Sequence, residues 1–199
     1  MSADLEQTAD VWLFLDLDRR VQAGSGEDST SELMIRAAAS IADRSLTENR
    51  AVGLTAFGHR TTVLPADRGS RQYLKIMQLL AAVDAAGSAA LVEGLVTGLS
   101  RLRRGMTAVV ITPSVDRAWV RALAGLRGRG VACVVLTVDT RSAEIASANR
   151  YRAPSHDTTI ELDPDVLSAN RALRHTLAEY DLRTYRLEAG RPLGELLAG

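Results

Sequence analysis

Asp16-Leu17-Asp18-Arg19-Arg20 follows the apolar run Val11–Leu15, and Thr112-Pro113-Ser114-Val115-Asp116 closes a second apolar run. These carboxylates, hydroxyls and guanidiniums are the groups best placed to do chemistry. Other reactive side chains are less promising. His59, His156 and His175 are far apart, and none has metal-ligand spacing with another. His59 and His175 read as solvated surface residues. Cys133 is the single cysteine and stands inside the longest apolar run, which marks it as core and excludes an intrachain disulfide. Gly24-Ser25-Gly26 lacks the lysine and spacing of a phosphate loop and reads as a flexible turn. No Ser/His/Asp constellation can be argued from the spacing.

The elements that must position these groups are legible in the hydrophobic pattern. Val11–Asp16 is apolar without alternation, as a strand buried on both faces is. Ser29 and Glu32 form a capping pattern before a helix over 30–48. Strands are expected at 50–57 and 61–64, joined by Gly58-His59 as a hairpin and closed by Pro65, which favours an edge. Helices follow at 70–84 and 89–104, separated by Gly87-Ser88. A buried strand over 107–112 precedes a helix marked by Val115, Trp119, Leu123 and Leu126, which stops near Gly128 and Gly130. Val131–Val138 is a strand. Residues 141–158 carry weak signals and are the first candidate for a flexible stretch, with the sequence leaving ordered and mobile both open. Asp163-Pro164 caps another helix, 182–187 is a last strand, and 192–197 a last short helix.

Strands alternating with helices predict one domain over 1–199, with its core at about 11–197. The fold class is a three-layer α/β/α sandwich, Rossmann-like, with a mostly parallel six-stranded sheet and one antiparallel edge strand. Ligands of such sheets sit at the carboxyl ends of strands, where strand order switches. That directs attention to 16–20, 112–116 and, as a third loop, 87–91.

Composition narrows the function. The chain has 199 residues, 24 Lys+Arg against 24 Asp+Glu, and 46% hydrophobic residues. Zero net charge removes a global electrostatic case for nucleic acid or an anionic membrane. No apolar run approaches the ~20 residues that span a bilayer, and Met1–Asp10 has no signal-peptide pattern. Cysteine usage points to the cytoplasm. Lys75 is the only lysine, which we read as a genome composition bias. Arg101, Arg103 and Arg104 suit a helix C-terminus; Arg117, Arg121, Arg127 and Arg129 read as a solvated helix face.

The order of motifs resembles a von Willebrand factor A-like domain. Asp16 ends the first strand, Val52–Gly58 looks like the second, Leu64-Pro65 ends the third, and Gly87–Leu91 stands where that family has a glycine-threonine loop. Ile111-Thr112-Pro113 stands where a serine-aspartate pair ends the fourth strand. More narrowly, Pro65–Gly69, Val109–Ser114 and Tyr185–Gly190 with Leu193, Leu196 and Leu197 resemble the C-terminal module of the bacterial domain of unknown function 58 family. That resemblance implies a parent tethered to the cytoplasmic side of the membrane by helices missing from this chain. It also implies a protein partner, a MoxR-type AAA+ ATPase.

The resemblance implies a site for a divalent cation held by Asp-x-Ser-x-Ser, a Thr and an Asp. Asp16 matches the first ligand and Asp18 replaces the first serine. Arg20 replaces the second and has no lone pair to give. The threonine falls on Ser88 or Ala89, and the last aspartate on Pro113, with Asp116 three residues on. The expectation is a degenerate site without metal or other cofactor, in which Arg19 or Arg20 reaches back to the carboxylates as a built-in cation. Two exposed loop arginines are the plainer version. A rearranged Mg²⁺ site of Asp16, Asp18, Ser88 and Asp116 is the alternative.

The function expected is non-catalytic protein–protein interaction. Its edge is made of Asp16, Asp18, Arg20, Ser88, Thr112, Ser114, Asp116 and Trp119. Trp119 is the aromatic to test as a contact, though a core anchor is its plainer role. The competing class is an enzyme. Asp16-Leu17-Asp18 is also similar to the start of a Mg²⁺-dependent haloacid-dehalogenase-like phosphohydrolase, with Asp16 as nucleophile and Asp18 as acid-base. Against it, Lys75 precedes Thr112 instead of following it, and Asp139 stands alone.

Overall fold

The computed structural model describes residues 9–151 and 163–192. Six strands, β1 (Val11–Asp16), β2 (Val52–Phe57), β3 (Thr61–Asp67), β4 (Thr107–Thr112), β5 (Ala132–Val138) and β6 (Arg183–Leu187), form one sheet in the order β3-β2-β1-β4-β5-β6. All neighbours are parallel except β2 and β3. The helices are α1 (Thr30–Thr47), α2 (Gly69–Ala82), α3 (Leu91–Gly98), α4 (Ala118–Arg127), α5 (Thr140–Tyr151) and α6 (Pro164–Glu179). The expected sandwich is the one observed.

Alternation within the buried strands divides the core. Leu13, Leu15, Leu54, Val109 and Ile111 face α1 and α2, burying Met34, Ala38 and Ile76. Trp12, Phe14, Phe57, Val110 and Val135 face the other way, onto Leu95, Trp119, Leu123, Leu173 and Leu177. Each fully buried large apolar side chain contributes about 1.5–3 kcal/mol, and the parallel strands are lined with them. Ser29 caps α1 by accepting from Glu32 N at 3.3 Å. Asp163 caps α6 by accepting from Asp165 N at 2.9 Å.

Two expectations are corrected and one open question is answered. The stretch 141–158, whose order the sequence leaves open, is helical through its described part, within α5. This helix has no apolar stripe, so periodicity could not reveal it. Polar bonds fix it instead: Ser147 Oγ accepts from Ser25 N at 2.8 Å, and Arg150 Nε donates to Asp28 at 2.6 Å. Strand β3 does not stop at Pro65 but runs to Asp67, because Pro65 falls in the register irregularity between the Leu54–Leu64 and Val52–Asp67 pairs, where an edge strand tolerates a missing N–H. The helix expected to 104 ends at Gly98, followed by a single 3₁₀ turn, Leu99–Arg101. Its glycines let it lie against aromatic rings: a Cβ on Gly94 would stand 2.4 Å from Phe57, and one on Gly98 2.6 Å from Phe14. The expected helix over 192–197 lies outside the described residues apart from Pro192, and His156 lies outside them too.

Candidate functional site

The chain runs outward from β1 to β2 and β3, then returns to β4 on the other side of β1. The switch in strand order therefore lies at the carboxyl ends of β1 and β4, where Asp16 and Thr112 sit side by side. Asp16 is 1% exposed. Its Oδ2 accepts from Thr112 Oγ1 at 2.6 Å and its Oδ1 from Asp18 N at 3.2 Å. Thr112 Oγ1 in turn accepts from Ser114 N at 2.9 Å. Burial pushes the Asp16 carboxyl above the ordinary carboxylate range, against the pull of the Thr112 and Asp18 bonds.

Asp18 is 4% exposed and is claimed by Arg20. Arg20 Nη2 lies 2.7 Å from Asp18 Oδ2, its Nε 3.0 Å from Oδ1, and its backbone N 3.0 Å from Oδ1. These bonds hold the Asp18 carboxyl below its ordinary value and raise the Arg20 pKa. The same Nη2 reaches across to Ser88 O at 3.0 Å. Of the two arginines, Arg20 is thus the one that reaches back, and it pairs with Asp18. Arg19 is exposed beside it.

The third loop is brought in by backbone. Arg19 N donates to Gly87 O and Gly87 N to Leu17 O, both at 2.9 Å. Only glycine fits here, because a Cβ would stand 2.5 Å from Phe57 O and 2.7 Å from Leu17 O. The structure thus joins Asp16, Asp18, Arg20, Ser88, Thr112 and Ser114 by a continuous set of hydrogen bonds.

Two expected members do not bring their side chains to this set. Asp116 is tied to it by its backbone N, which donates to Ser114 Oγ at 3.3 Å, but its exposed carboxylate turns back to accept from Ala118 N at 3.0 Å, at the head of α4. Trp119 is a correction: it is 1% exposed, packed with the core of its face, and unavailable as a contact. Its apolar spacing with Leu123 and Leu126 decides this over its closeness to the edge. Sequence reading missed Gln22 and Thr30. Gln22 Nε2 donates to Asp16 O at 2.8 Å, and Thr30 Oγ1 donates to Gln22 Oε1 at 2.7 Å. A glutamine in a polar loop gives no signal of such a role.

The donor set does not fit a divalent cation as arranged. The Asp18 oxygens face the Arg20 guanidinium, both Asp16 oxygens accept protein hydrogen bonds, and Pro113 offers no side-chain ligand. Among the described residues no group of three His, Cys, Asp or Glu could hold a metal ion.

The fold is that of a von Willebrand factor A-like domain. Within that class the chain belongs to the family described as Protein of unknown function DUF58, which matches residues 2–184. Two solved structures share the fold over nearly their whole length. An aerotolerance-related membrane protein from Bacteroides fragilis NCTC 9343, carrying multiple mutations to serines, is 18% identical with a TM-score of 0.57, covering 96% of each chain. The SpRpn10 VWA domain is 14% identical with a TM-score of 0.56, covering 96% of this chain and 94% of its own. No curated protein sequence matches the chain.

Proposed function

We propose that this domain is a non-catalytic protein-interaction module whose recognition edge is formed by the loops at the ends of β1 and β4. The edge works without metal: Arg20 provides the positive charge, fixed to Asp18. The observation that carries this reading is the Arg20 fork on Asp18, continued to the Ser88 carbonyl. A cation supplied by the chain pre-organises the loops that a bound ion would otherwise draw together. Asp16 does not favour the phosphohydrolase alternative. It is buried and both its oxygens are engaged, so its carboxylate does not face an incoming phosphorus.

The wider setting follows the family. The Bacteroides relative is described as a membrane protein, which supports a membrane-tethered parent; the cytoplasmic face rests on the family resemblance alone. The helices described here include none long and apolar enough to cross a membrane. The resemblance supports a MoxR-type AAA+ ATPase as the protein partner.

Calorimetry with Mg²⁺ and Mn²⁺ on metal-stripped protein tests the site. The wild type is expected to show no saturable binding at millimolar metal, and Arg20→Ser to gain it. Wild-type binding that disappears in Asp16→Ala would sink the metal-free reading. Pull-down of a MoxR-type ATPase, weakened in Arg20→Glu, tests the interaction. Phosphate-ester turnover lost in Asp16→Asn would return the enzyme hypothesis.

A further inference from the structure

Zero net charge conceals a segregation of charge. Between Gly94 and Val138 there are seven arginines and one acid, Asp116. Four of these arginines gather at the amino ends of the strands, the edge opposite the candidate site. Arg101 ends the 3₁₀ turn after α3, Arg103 and Arg104 stand in the loop entering β4, and Arg129 stands in the loop entering β5. Since α3 ends at Gly98, Arg103 and Arg104 are not helix-terminal residues, and the dipole reading of the sequence does not account for them.

The two loops are stitched together. Gly105 N donates to Gly130 O and Ala132 N to Met106 O, both at 2.9 Å. The Arg104 stem lies over Gly130, its Cγ 2.8 Å from where a Cβ would stand. All four arginines are exposed, and among the described residues none of the four guanidiniums has an ion-pair partner. The neighbouring acids are engaged elsewhere: Asp10 with Arg68 at 2.7 Å and Asp181 with Arg127 at 3.0 Å. The four charges are therefore not neutralised within the edge.

We propose that this arginine patch docks on an anionic bilayer through lipid phosphates. Long basic side chains on two short, exposed glycine turns suit a diffuse array of anions. Tryptophan and phenylalanine are all buried, so the patch has no such rings on which to stack bases. The chain also enters the sheet here: Thr107 N donates to Asp10 O at 2.8 Å, next to the patch. Docked this way, the domain points its carboxyl edge, with Arg20 and Ser88, away from the lipid. The proposal rests on the amino edge alone and does not depend on how the candidate site works.

The test is co-sedimentation of the intact chain with two kinds of vesicle: phosphatidylcholine alone, and phosphatidylcholine with phosphatidylglycerol. The wild type is expected to bind only the anionic vesicles and to be released by salt. The triple variant Arg103→Gln/Arg104→Gln/Arg129→Gln is expected to bind at least about tenfold more weakly. Arg117→Gln/Arg121→Gln, at the other end of α4, is expected to bind as the wild type does. Circular dichroism establishes that the variants are folded. Absence of binding to anionic vesicles at low salt would overturn the proposal, as would equal losses in the two variants. Preference for polyglutamate or duplex DNA over the vesicles would assign the patch to an acidic protein or a nucleic acid instead.

Discussion

The two edges of one sheet treat charge in opposite ways. At the carboxyl edge, acids are drawn inside and each is provided for: Asp16 by Thr112 and a backbone N–H, Asp18 by Arg20. At the amino edge, Arg101, Arg103, Arg104 and Arg129 are left outside around two glycine turns, with no ion-pair partner among the described residues. The contrast separates charge that builds the fold from charge free to meet something else. A buried carboxylate must be satisfied or it opposes folding. An exposed guanidinium carries no such demand, so its clustering needs another explanation. Substitutions at the first edge should therefore be felt in stability, and substitutions at the second in binding.

The largest stability loss is expected where the carboxyl-edge loops touch. Gly87→Ala places a methyl 2.5 Å from Phe57 O and 2.7 Å from Leu17 O, both backbone atoms. We expect a loss of about 3 kcal/mol in urea denaturation. A neutral result would mean that the three loops are not locked together. Next comes Thr112→Val, which keeps the shape but removes the donor to Asp16 and the acceptor for Ser114 N. About 2 kcal/mol is expected. An unchanged midpoint would show that Asp16 finds another partner easily and that this edge is less built than its hydrogen bonds suggest.

How much of this contrast the sequence carried depends on the kind of signal. Strands β1, β4 and β5 were legible because burial on both faces leaves an uninterrupted apolar run. The antiparallel edge was legible from Pro65. Helix α5 was not, because Ser147 and Arg150 hold it by polar bonds that leave no apolar period. At the candidate site, Asp16, Asp18 and Arg20 could be named from spacing after a strand. The Arg20 reach to Ser88 O depends on a loop 68 residues away and has no local signature. Gln22 has its partners only 6 and 8 residues away, but a glutamine in a polar loop carries no signature of such a role. The amino-edge patch was hidden by the helix assignment: a helix drawn through to 104 turned three arginines into ordinary C-terminal cations.

A smaller effect separates the two acids within the carboxyl edge. Burial raises the Asp16 carboxyl, so as pH falls the folded state takes up this proton before the unfolded chain does. Ionised Asp16 therefore weakens the fold above its folded-state pKa, and the penalty fades as pH falls toward the ordinary carboxylate value. Asp18 has the opposite sign. Arg20 holds its carboxyl low, so its contribution is complete above the ordinary value and is lost as pH falls through the folded-state pKa. Denaturation from pH 7 to 4 should show the wild type gaining on Asp16→Asn, whereas its loss against Asp18→Asn should set in only as pH falls below the ordinary carboxylate value toward pH 2. Parallel curves would mean that the two carboxylates share one environment.

The smallest stability effect is expected at the amino edge, and its smallness is what makes it informative. Arg103 and Arg129 are exposed and without ion-pair partners among the described residues, so Arg103→Gln and Arg129→Gln remove charge and little else. Each should move stability by no more than about 0.5 kcal/mol at moderate salt. At low salt the variants should be slightly more stable than the wild type, because like charges on adjacent turns repel and salt screens that repulsion. Thermal denaturation at two ionic strengths measures both. A substantial loss at either salt would show that these arginines support the fold, placing both edges under the same rule and leaving no surplus charge to account for.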